Sequence, residues 1–221
     1  FRSHYKMSAP QTDTENCVAH NGSLIPVPGR DICAQAWYQG GLSIVDFTDS
    51  SNPVEIAFFD RGPLDEEELI TAGYWSTYWY GGYIYATEIA RGLDVFALEP
   101  SDYLSENEIA AASLQDANVT VNAQTQERVS WPAVPVVARA YIDQLQRSDA
   151  IDAQQLQPLL RLLEQAEDVL DSSSRSDPGL SNELGNFASS FQDQSGDQSG
   201  LVRDRYISLA STLRGIADQL R

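Results

Sequence analysis

Two strand-forming segments about fifty residues apart share one pattern, and this repeat constrains the fold more than any other feature of the chain. Gly41–Phe47 (GLSIVDF) alternates apolar and polar residues and runs into the turn-forming Thr48–Pro53 (TDSSNP). Gly92–Leu98 (GLDVFAL) repeats the pattern and closes on Glu99–Asp102 (EPSD). Short segments with this alternation, bounded by Gly, Pro, Asp and Ser, are typical of β-strands. A repeat of this length built from short strands indicates the blades of a β-propeller.

The segments that precede these two strands also align with each other. Gly22–Val27 corresponds to Trp75–Tyr80, and Ile32–Trp37 corresponds to Tyr83–Glu88, with turns rich in Gly or Pro between them. Each repeat therefore supplies three strands, and Val54–Phe59 adds a fourth strand to the first repeat. We predict one complete four-stranded antiparallel blade followed by an incomplete blade of three strands.

The motif itself resembles a known repeat. Gly41–Asp46 with Asn52–Pro53 resembles the LVIVD repeat of bacterial and archaeal β-propeller proteins, many of which are exported. Glu15–Ser23 and Glu88–Phe96 resemble the last blades of such proteins, although Asp94 stands where the first repeat has Ser43. The resemblance covers roughly residues 1–100. It implies a propeller fold and an extracellular, cell-surface or periplasmic location, and it says little about activity because propellers host unrelated functions.

Two blades cannot close a ring, and isolated sheets leave edges and faces without partners. The second repeat has no fourth strand before the chain changes character, and Phe1–Lys6 reads like the tail of an outer strand. We therefore expect residues 1–100 to be the end of a longer propeller. A small open sheet packed against the helices is the alternative.

The charge of the chain excludes two classes of partner. Its 32 acidic and 14 basic residues give a formal net charge of −18, and Lys6 is the single lysine. Such a surface repels nucleic acid and anionic lipid, and no apolar stretch approaches the ~20 residues that cross a bilayer. Carboxylate excess with almost no lysine is typical of halophilic proteins, and an ordinary acidic exported protein is the alternative.

The two cysteines and two histidines do not form a zinc motif. Cys17 and Cys33 lie in the first repeat, and both a disulfide and a pair of free thiols in neighbouring strands fit the sequence. His20 is the one histidine inside a repeat, and His4 lies near the start of the chain.

The chain becomes helical after about residue 100. Residues 101–130 are predicted to hold a short helix opened by a Ser105–Glu108 capping box, followed by a polar linker. Residues 131–221 show the apolar period of four amphipathic helices and predict an antiparallel helical bundle. Pro132 suits a first helical turn, and Asp177 with Pro178 suits an N-cap followed by a first-turn proline. Pro158 is expected to kink or restart its helix. The Ser-, Asp- and Gly-rich links are predicted to be mobile: Ser172–Ser176 and Gln192–Gly200.

Polar residues near the strand ends of both repeats form the candidate binding site. The six candidate ligand-binding residues are Glu15, Asn16, His20, Asn21, Glu88 and Arg91. If the strand ends converge on a central channel, these groups bind a small ligand or a metal ion such as copper, iron or calcium, with His20 as the candidate metal ligand. The alternative is a structural network in which Glu88 pairs with Arg91 and His20 bonds to backbone.

The sequence offers no convincing catalytic centre. No Gly-x-Ser-x-Gly elbow surrounds a serine, and Glu88 has no identifiable carboxylate partner. Strict alternation places Tyr74 beside Tyr78 and Tyr80 on one side of a strand, and packing between blades explains these rings better than a carbohydrate platform. We expect a non-catalytic exported or surface scaffold that binds a protein or small molecule at the propeller face, without a cofactor. The alternative is a metal-dependent propeller enzyme, such as an oxidoreductase, built around His20.

Overall fold

The computed structural model describes residues 1–114 and 129–221, which form a mixed α+β structure. Seven strands come first: β1 (Gly22–Ile25), β2 (Ile32–Ala36), β3 (Leu42–Asp46), β4 (Val54–Phe59), β5 (Tyr74–Tyr80), β6 (Tyr83–Glu88) and β7 (Gly92–Phe96). Five α-helices follow: α1 (Glu106–Ser113), α2 (Pro135–Arg147), α3 (Ala153–Asp171), α4 (Pro178–Gln194) and α5 (Gly200–Gln219). The antiparallel strands and the C-terminal helices agree in type with the sequence prediction.

The strands form two open antiparallel sheets. The first sheet has the order β1-β2-β3-β4 and the second has the order β5-β6-β7, so every pairing joins strands that are consecutive in the chain. Tight turns make these pairings: Gly81 and Gly82 both have positive φ values between β5 and β6. The three-stranded second sheet matches the shorter second repeat.

The two sheets pack together along β1, β2 and β5. The face of the first sheet that meets the second, here called the covered face, carries small and β-branched residues that are almost fully buried: Ser23, Ile25, Ile32, Ala34 and Ile44. Two hydrogen bonds between the sheets fix this contact. The Thr77 hydroxyl donates to the Ala34 carbonyl over 2.8 Å, and the Trp79 amide donates to Ser23 Oγ over 2.9 Å.

A register shift in β5 overturns the prediction of strict alternation for Tyr74. The pairing of β5 with β6 shifts between Tyr74 and Ser76, and an extra residue in one strand turns its neighbours to new sides. Tyr74 is buried, packs against Phe59 and Phe96, and donates from its hydroxyl to Asp94 over 2.7 Å. It therefore does not share a side with Tyr78 and Tyr80 (Tyr74 is opposite Glu88, whereas Tyr80 is opposite Tyr83).

The chain folds into two compact units. The first contains Phe1–Leu104 and all seven strands, and the second contains Ser105–Ala111 and Ser130–Arg221. Helices α2 to α5 share one apolar core, whose large fully buried side chains include Ile142, Leu145, Leu156, Leu163, Leu184, Phe191, Leu209 and Leu213. No helix within residues 1–114 and 129–221 combines the length and apolarity needed to cross a lipid bilayer.

Local capping chemistry explains several helix starts. The Ser105–Glu108 capping box forms: the Glu108 amide donates to Ser105 Oγ over 3.1 Å, and the Ser105 amide donates to the Glu108 carboxylate over 2.8 Å. Asp177 caps α4 by accepting from the Leu180 amide over 3.0 Å, with Pro178 in the first turn. Both predictions are confirmed.

Three helical predictions need correction. Pro132 lies before α2, and Pro135 occupies the first turn instead, because Val134 is the extended residue that precedes the helix. Helix α3 continues through Pro158, so the predicted restart is wrong, whereas a kink at Pro158 stays a prediction. The predicted link from Gln192 to Gly200 is shorter than expected because α4 runs to Gln194 and a 3₁₀ turn covers Ser195–Asp197. Most of the polar linker predicted within 101–130 lies outside the described residues.

Candidate functional site

The turns at one end of both sheets bring several candidate residues together. His20 and Asn21 lie directly before β1, Tyr38 lies in the turn between β2 and β3, and Trp75 lies at the start of β5. An antiparallel bridge between Tyr38 and Tyr74 ties the two sheets at this end. Glu88 ends β6 beside the same turns.

Three aromatic rings lie together in a group here called the aromatic cluster: His20, Tyr38 and Trp75. His20 and Trp75 are exposed, and Tyr38 is half-buried. The His20 ring centroid lies 4.1 Å from that of Trp75 and 5.0 Å from that of Tyr38, and the Tyr38 and Trp75 rings are perpendicular. His20 Nδ1 lies 2.6 Å from the Trp75 carbonyl oxygen. Because a carbonyl only accepts, Nδ1 carries the proton and donates this bond. The Trp75 side chain is still 50% exposed, so the cluster presents rigid aromatic surface to solvent.

Backbone geometry holds Tyr38 in the cluster. Its φ of 51° lies in the left-handed region, which is uncommon for a residue with a side chain. The Tyr38 amide donates to the Tyr74 carbonyl, and the Tyr38 carbonyl accepts from the amides of Gly41 and Tyr74. These bonds from both sheets stabilise a conformation that the sequence did not predict.

Asn21 links the two sheets through hydrogen bonds at the end that carries the aromatic cluster. Its Oδ1 accepts from the Gly22 amide over 2.8 Å, and its Nδ2 donates over 3.4 Å to both the Ser76 hydroxyl and the Tyr78 hydroxyl. The Asn21 backbone carbonyl accepts from the Ala36 amide. Asn21 therefore joins the edges of the two sheets, and its polar atoms have protein partners.

The Glu88 carboxylate is buried, with 4% of the residue exposed, and is used by the protein itself. One oxygen accepts from the Gly73 amide over 2.6 Å, and the other accepts from the Arg91 amide. The Arg91 guanidinium lies 3.5 Å from the first oxygen. This arrangement ties the start of β5 to the turn after β6 and matches the structural alternative for Glu88 and Arg91.

Glu15 and Asn16 form hydrogen bonds with residues outside the aromatic cluster. Glu15 accepts from the amide and the hydroxyl of Thr12, which closes a local turn. The Asn16 amide donates to the Gln39 side-chain oxygen over 3.0 Å, and the Asn16 carbonyl accepts from the Gln39 amide. Gln39 is buried, and its Nε2 has no hydrogen-bond partner among the described residues. The polar side chains of Glu15 and Asn16 do not converge with His20 on a shared point.

The described part of the chain offers no ready metal centre. Across residues 1–114 and 129–221, no three His, Cys, Asp or Glu side chains lie close enough together to hold an ion. Cys17 and Cys33 are free thiols, so of the two cysteine alternatives the structure shows the unbonded one. Burial, with help from Glu15 and Asp60, raises the pKa of Cys17 to about 11, and burial alone raises the pKa of Cys33. Both thiols are therefore protonated at neutral pH.

A groove that the sequence did not reveal lies on the first sheet, on the side opposite the covered face. It has a volume of about 530 Å³ and runs between the N-terminal segment and the sheet. Its lining residues are Arg2, Ser3, His4, Tyr5, Ala19, Cys33, Gln35, Trp37, Val45, Phe47, Ser50 and Pro53. Tyr5 closes one wall by packing its ring against Trp37, and burial raises the pKa of Tyr5 to about 12. The groove lies on neutral, largely apolar sheet residues.

No model of a known protein family matches the sequence, and neither the curated proteins nor the solved structures include a match to it.

Proposed function

We propose that the first unit belongs to an LVIVD-type β-propeller and that the protein is a non-catalytic, exported or cell-surface scaffold. In this proposal the aromatic cluster binds a protein or small-molecule partner. Helices α2–α5, which follow the scaffold in the sequence, form an antiparallel bundle. The observation that carries the proposal is the aromatic cluster: the exposed rings of His20 and Trp75 and the half-buried ring of Tyr38 lie together at the strand ends of two adjoining sheets.

The sheet arrangement supports the propeller part of the proposal. Strand order follows chain order in both sheets, and the first strands β1 and β5 lie next to each other, as the inner strands of neighbouring blades do. The second sheet packs on the first along β1, β2 and β5, with buried hydrogen bonds across the contact. The resemblance to the LVIVD repeat supplies the family, and the exported or surface location follows from that resemblance alone.

The chemistry at the strand ends favours binding over catalysis. Asn21 and Glu88 are engaged by protein hydrogen bonds. Within residues 1–114 and 129–221, His20 belongs to no group of three His, Cys, Asp or Glu side chains that could hold a metal ion. Tryptophan and tyrosine, by contrast, are among the residues enriched at the energetic centres of protein interfaces. No observation specifically favours the metal-dependent enzyme.

A random peptide-display library, selected on the intact chain, tests the binding role. Peptides that use the aromatic cluster should bind Trp75→Ala at least tenfold more weakly than the unaltered chain, because the largest exposed ring is removed. Tyr103→Ala is the matched control, since Tyr103 is equally exposed (53%) and lies outside the cluster. Selected peptides that bind all three proteins equally would contradict the proposal.

Elemental analysis of the dialysed protein distinguishes the scaffold from the alternative, a metal-dependent enzyme. Close to one metal ion per chain, lost in His20→Ala, would support the metal-dependent enzyme over the scaffold. A trace amount of metal that is the same in the unaltered chain and in His20→Ala would count against a metal site at His20. The His20 imidazole would then serve only as the hydrogen-bond donor to the Trp75 carbonyl.

A further inference from the structure

The groove on the first sheet has the size and the lining of a small-molecule site. Its volume of about 530 Å³ lies within the range of about 300–1,000 Å³ that small ligands occupy in proteins. The apolar part of the lining includes three aromatic side chains, Tyr5, Trp37 and Phe47, together with Val45 and Pro53. Aromatic rings pack well against one another, so a flat aromatic ligand suits this lining.

The N-terminal segment covers this face of the sheet without filling the groove. The Tyr5 hydroxyl donates to the Glu55 carboxylate, and Ser8 Oγ donates to the same carboxylate over 3.0 Å. Ser3 Oγ donates to the Ser50 carbonyl over 2.7 Å. These bonds hold the segment against the sheet, and the groove is the space that remains between the two. The groove therefore has room for a small molecule but not for another sheet.

The rim of the groove carries positive charge. Arg2 and His4 line the groove, whereas none of its lining residues in the described structure is an aspartate or a glutamate, although the chain has 32 of them. Exposure alternates along the segment: Ser3 and Tyr5 are half-buried against the sheet, and Arg2 and His4 are exposed. Arg2 and His4 therefore lie on the outer side of the segment, at the entrance to the groove.

Arg2 differs from the other arginines of the first hundred residues. Arg30, Arg61 and Arg91 each form an ion pair with a carboxylate. Among residues 1–114 and 129–221, the side chains of Arg2 and Lys6 have no such partner and no hydrogen bond. An unpaired guanidinium beside an apolar groove, in a chain with a net charge of −18, is complementary to an anionic group on an apolar molecule.

We propose that the groove binds a small aromatic molecule that carries one carboxylate. The ring lies among Tyr5, Trp37 and Phe47, and the carboxylate lies at the rim. There Arg2 offers the two parallel N–H groups that match a carboxylate, and His4 offers one N–H in either charge state. This site is different from the aromatic cluster, and the proposal does not depend on partner binding at that cluster.

Equilibrium dialysis with three probes that share one ring system is the first test. The probes are 2-naphthoate, 2-naphthylmethanol and 2-naphthylmethylamine, which are anionic, neutral and cationic. At about 0.15 M sodium chloride the Debye length is about 8 Å, so the distant carboxylates of the chain are largely screened. Naphthoate should bind saturably at one site per chain, the alcohol more weakly and the amine most weakly. Naphthoate binding that is absent, or no tighter than that of the alcohol, overturns the proposal.

Two charge reversals in the same segment test the role of Arg2. Arg2→Glu should weaken naphthoate binding by about fivefold, because an attraction of the size found at exposed sites is exchanged for a repulsion. Its affinity for the neutral alcohol should stay unchanged. Lys6→Glu is the matched control, since Lys6 is an exposed cation of the same segment that does not line the groove. Equal weakening in the two variants would show a long-range effect of charge and would overturn the carboxylate position at the rim.

The two free thiols report where the probe binds. Cys33 lines the groove and Cys17 does not, and neither cysteine is in a disulfide. Labelling with N-ethylmaleimide, followed at each cysteine by mass spectrometry, should slow at Cys33 when naphthoate is present and stay constant at Cys17. A rate at Cys33 that naphthoate does not change, or an equal slowing at both thiols, would overturn the groove as the site.

Trp75→Ala separates this site from the aromatic cluster. The variant should bind naphthoate as tightly as the unaltered chain, because Trp75 does not line the groove. Loss of naphthoate binding in Trp75→Ala would assign the probe to the aromatic cluster and would overturn the groove site while leaving the proposed binding role of the cluster intact.

Discussion

The buried carboxylate of Glu88 gives the sharpest prediction for a single residue. It accepts backbone hydrogen bonds from both Gly73 and Arg91, and a glutamine side chain has only one oxygen to offer them. Glu88→Gln should therefore lower the free energy of unfolding by about 1–3 kcal/mol, the usual cost of an unsatisfied buried group. Urea unfolding of the intact chain measures this loss.

Glu15→Gln is the control for this substitution. Glu15 accepts from Thr12 in an exposed local turn, so losing its charge should cost under about 1 kcal/mol. Equal losses in the two variants would mean that the Glu88 bonds add little stability, and Glu88 would again be a candidate for binding a ligand.

Asp46 ties a corner of the first sheet and should make stability depend on pH. Its carboxylate accepts from the Arg30 guanidinium over 2.6 Å and from the Thr48 amide over 2.9 Å. Burial raises the pKa of Asp46, but the hydrogen bonds from Thr48 and Arg30 and the charge of Arg30 outweigh it and hold the pKa below its ordinary value. The stabilisation is therefore complete above about pH 4, the ordinary range for Asp, and is lost as the pH falls through the lower folded value.

Asp46→Asn tests this dependence. At pH 7 it should lower the free energy of unfolding by about 1–3 kcal/mol, since it removes a partly buried, charge-assisted bond to Arg30. The difference from the unaltered chain should shrink as the pH falls from 4 to 2, because Asp46 then becomes neutral in both states. A difference that stays constant down to pH 2 would show that the charge of Asp46 does not stabilise the fold.

For single strands and helices, local sequence patterns predicted the type of each element better than the side on which its side chains lie. Alternation and turn residues identified all seven strands, and Tyr83–Glu88 and Val54–Phe59 match their predicted bounds. The orientation of Tyr74 was wrong because a register shift inserts one residue into the pairing of β5, and the period of two carries no sign of it. The helix starts at Ser105 and Asp177 were predictable because a cap is a contact within one turn.

The candidate site was only partly predictable for the same physical reason. The sequence singled out His20, but its ring partner Trp75 lies 55 residues away in the chain. Glu88 stood out as a carboxylate in an apolar strand. Its bond to the Gly73 amide, however, depends on the position of the residue that precedes β5, which the sequence around Glu88 does not specify. Contacts between distant segments follow from the packing of the sheets, which local periodicity does not specify.

The capping box at the start of α1 gives a prediction for a whole element. Glu108 is fully buried and pairs with Arg147 of α2 over 2.6 Å, while its amide bonds to Ser105. Ser105→Ala should cost about 1 kcal/mol as an ordinary lost cap. Glu108→Ala should cost about 3 kcal/mol because it also removes the partner of a charged group.

Hydrogen exchange on the amides of α1 distinguishes the two substitutions. Protection should fall modestly in Ser105→Ala and strongly in Glu108→Ala. Asp152→Ala, which removes the cap that accepts from the Gln154 amide of α3, is the control and should leave α1 unchanged. Equal protection of α1 in all three variants would show that the buried pair does not anchor this helix.

The charge of the whole molecule sets how its stability responds to salt. With 32 acidic and 14 basic residues, the folded chain concentrates negative charge that the unfolded chain spreads out. Sodium chloride should therefore raise the free energy of unfolding most steeply below about 0.3 M, where the Debye length shortens fastest. Urea unfolding at a fixed protein concentration and a series of salt concentrations measures this response. A stability that falls with added salt would contradict this prediction and would favour the ordinary acidic protein over the halophilic interpretation of the composition.

A less acidic variant separates charge screening from other effects of salt. Glu164 and Glu183 are exposed, and replacing both with lysine changes the net charge by four units. If repulsion limits stability, Glu164→Lys/Glu183→Lys should be more stable at 0.02 M sodium chloride and should respond less to added salt. If both chains respond with the same slope, the salt effect comes from exclusion of ions from the surface, as sucrose would also produce. The slope at low salt is thus a measure of how far the net charge itself, rather than any single ion pair, limits the stability of this fold.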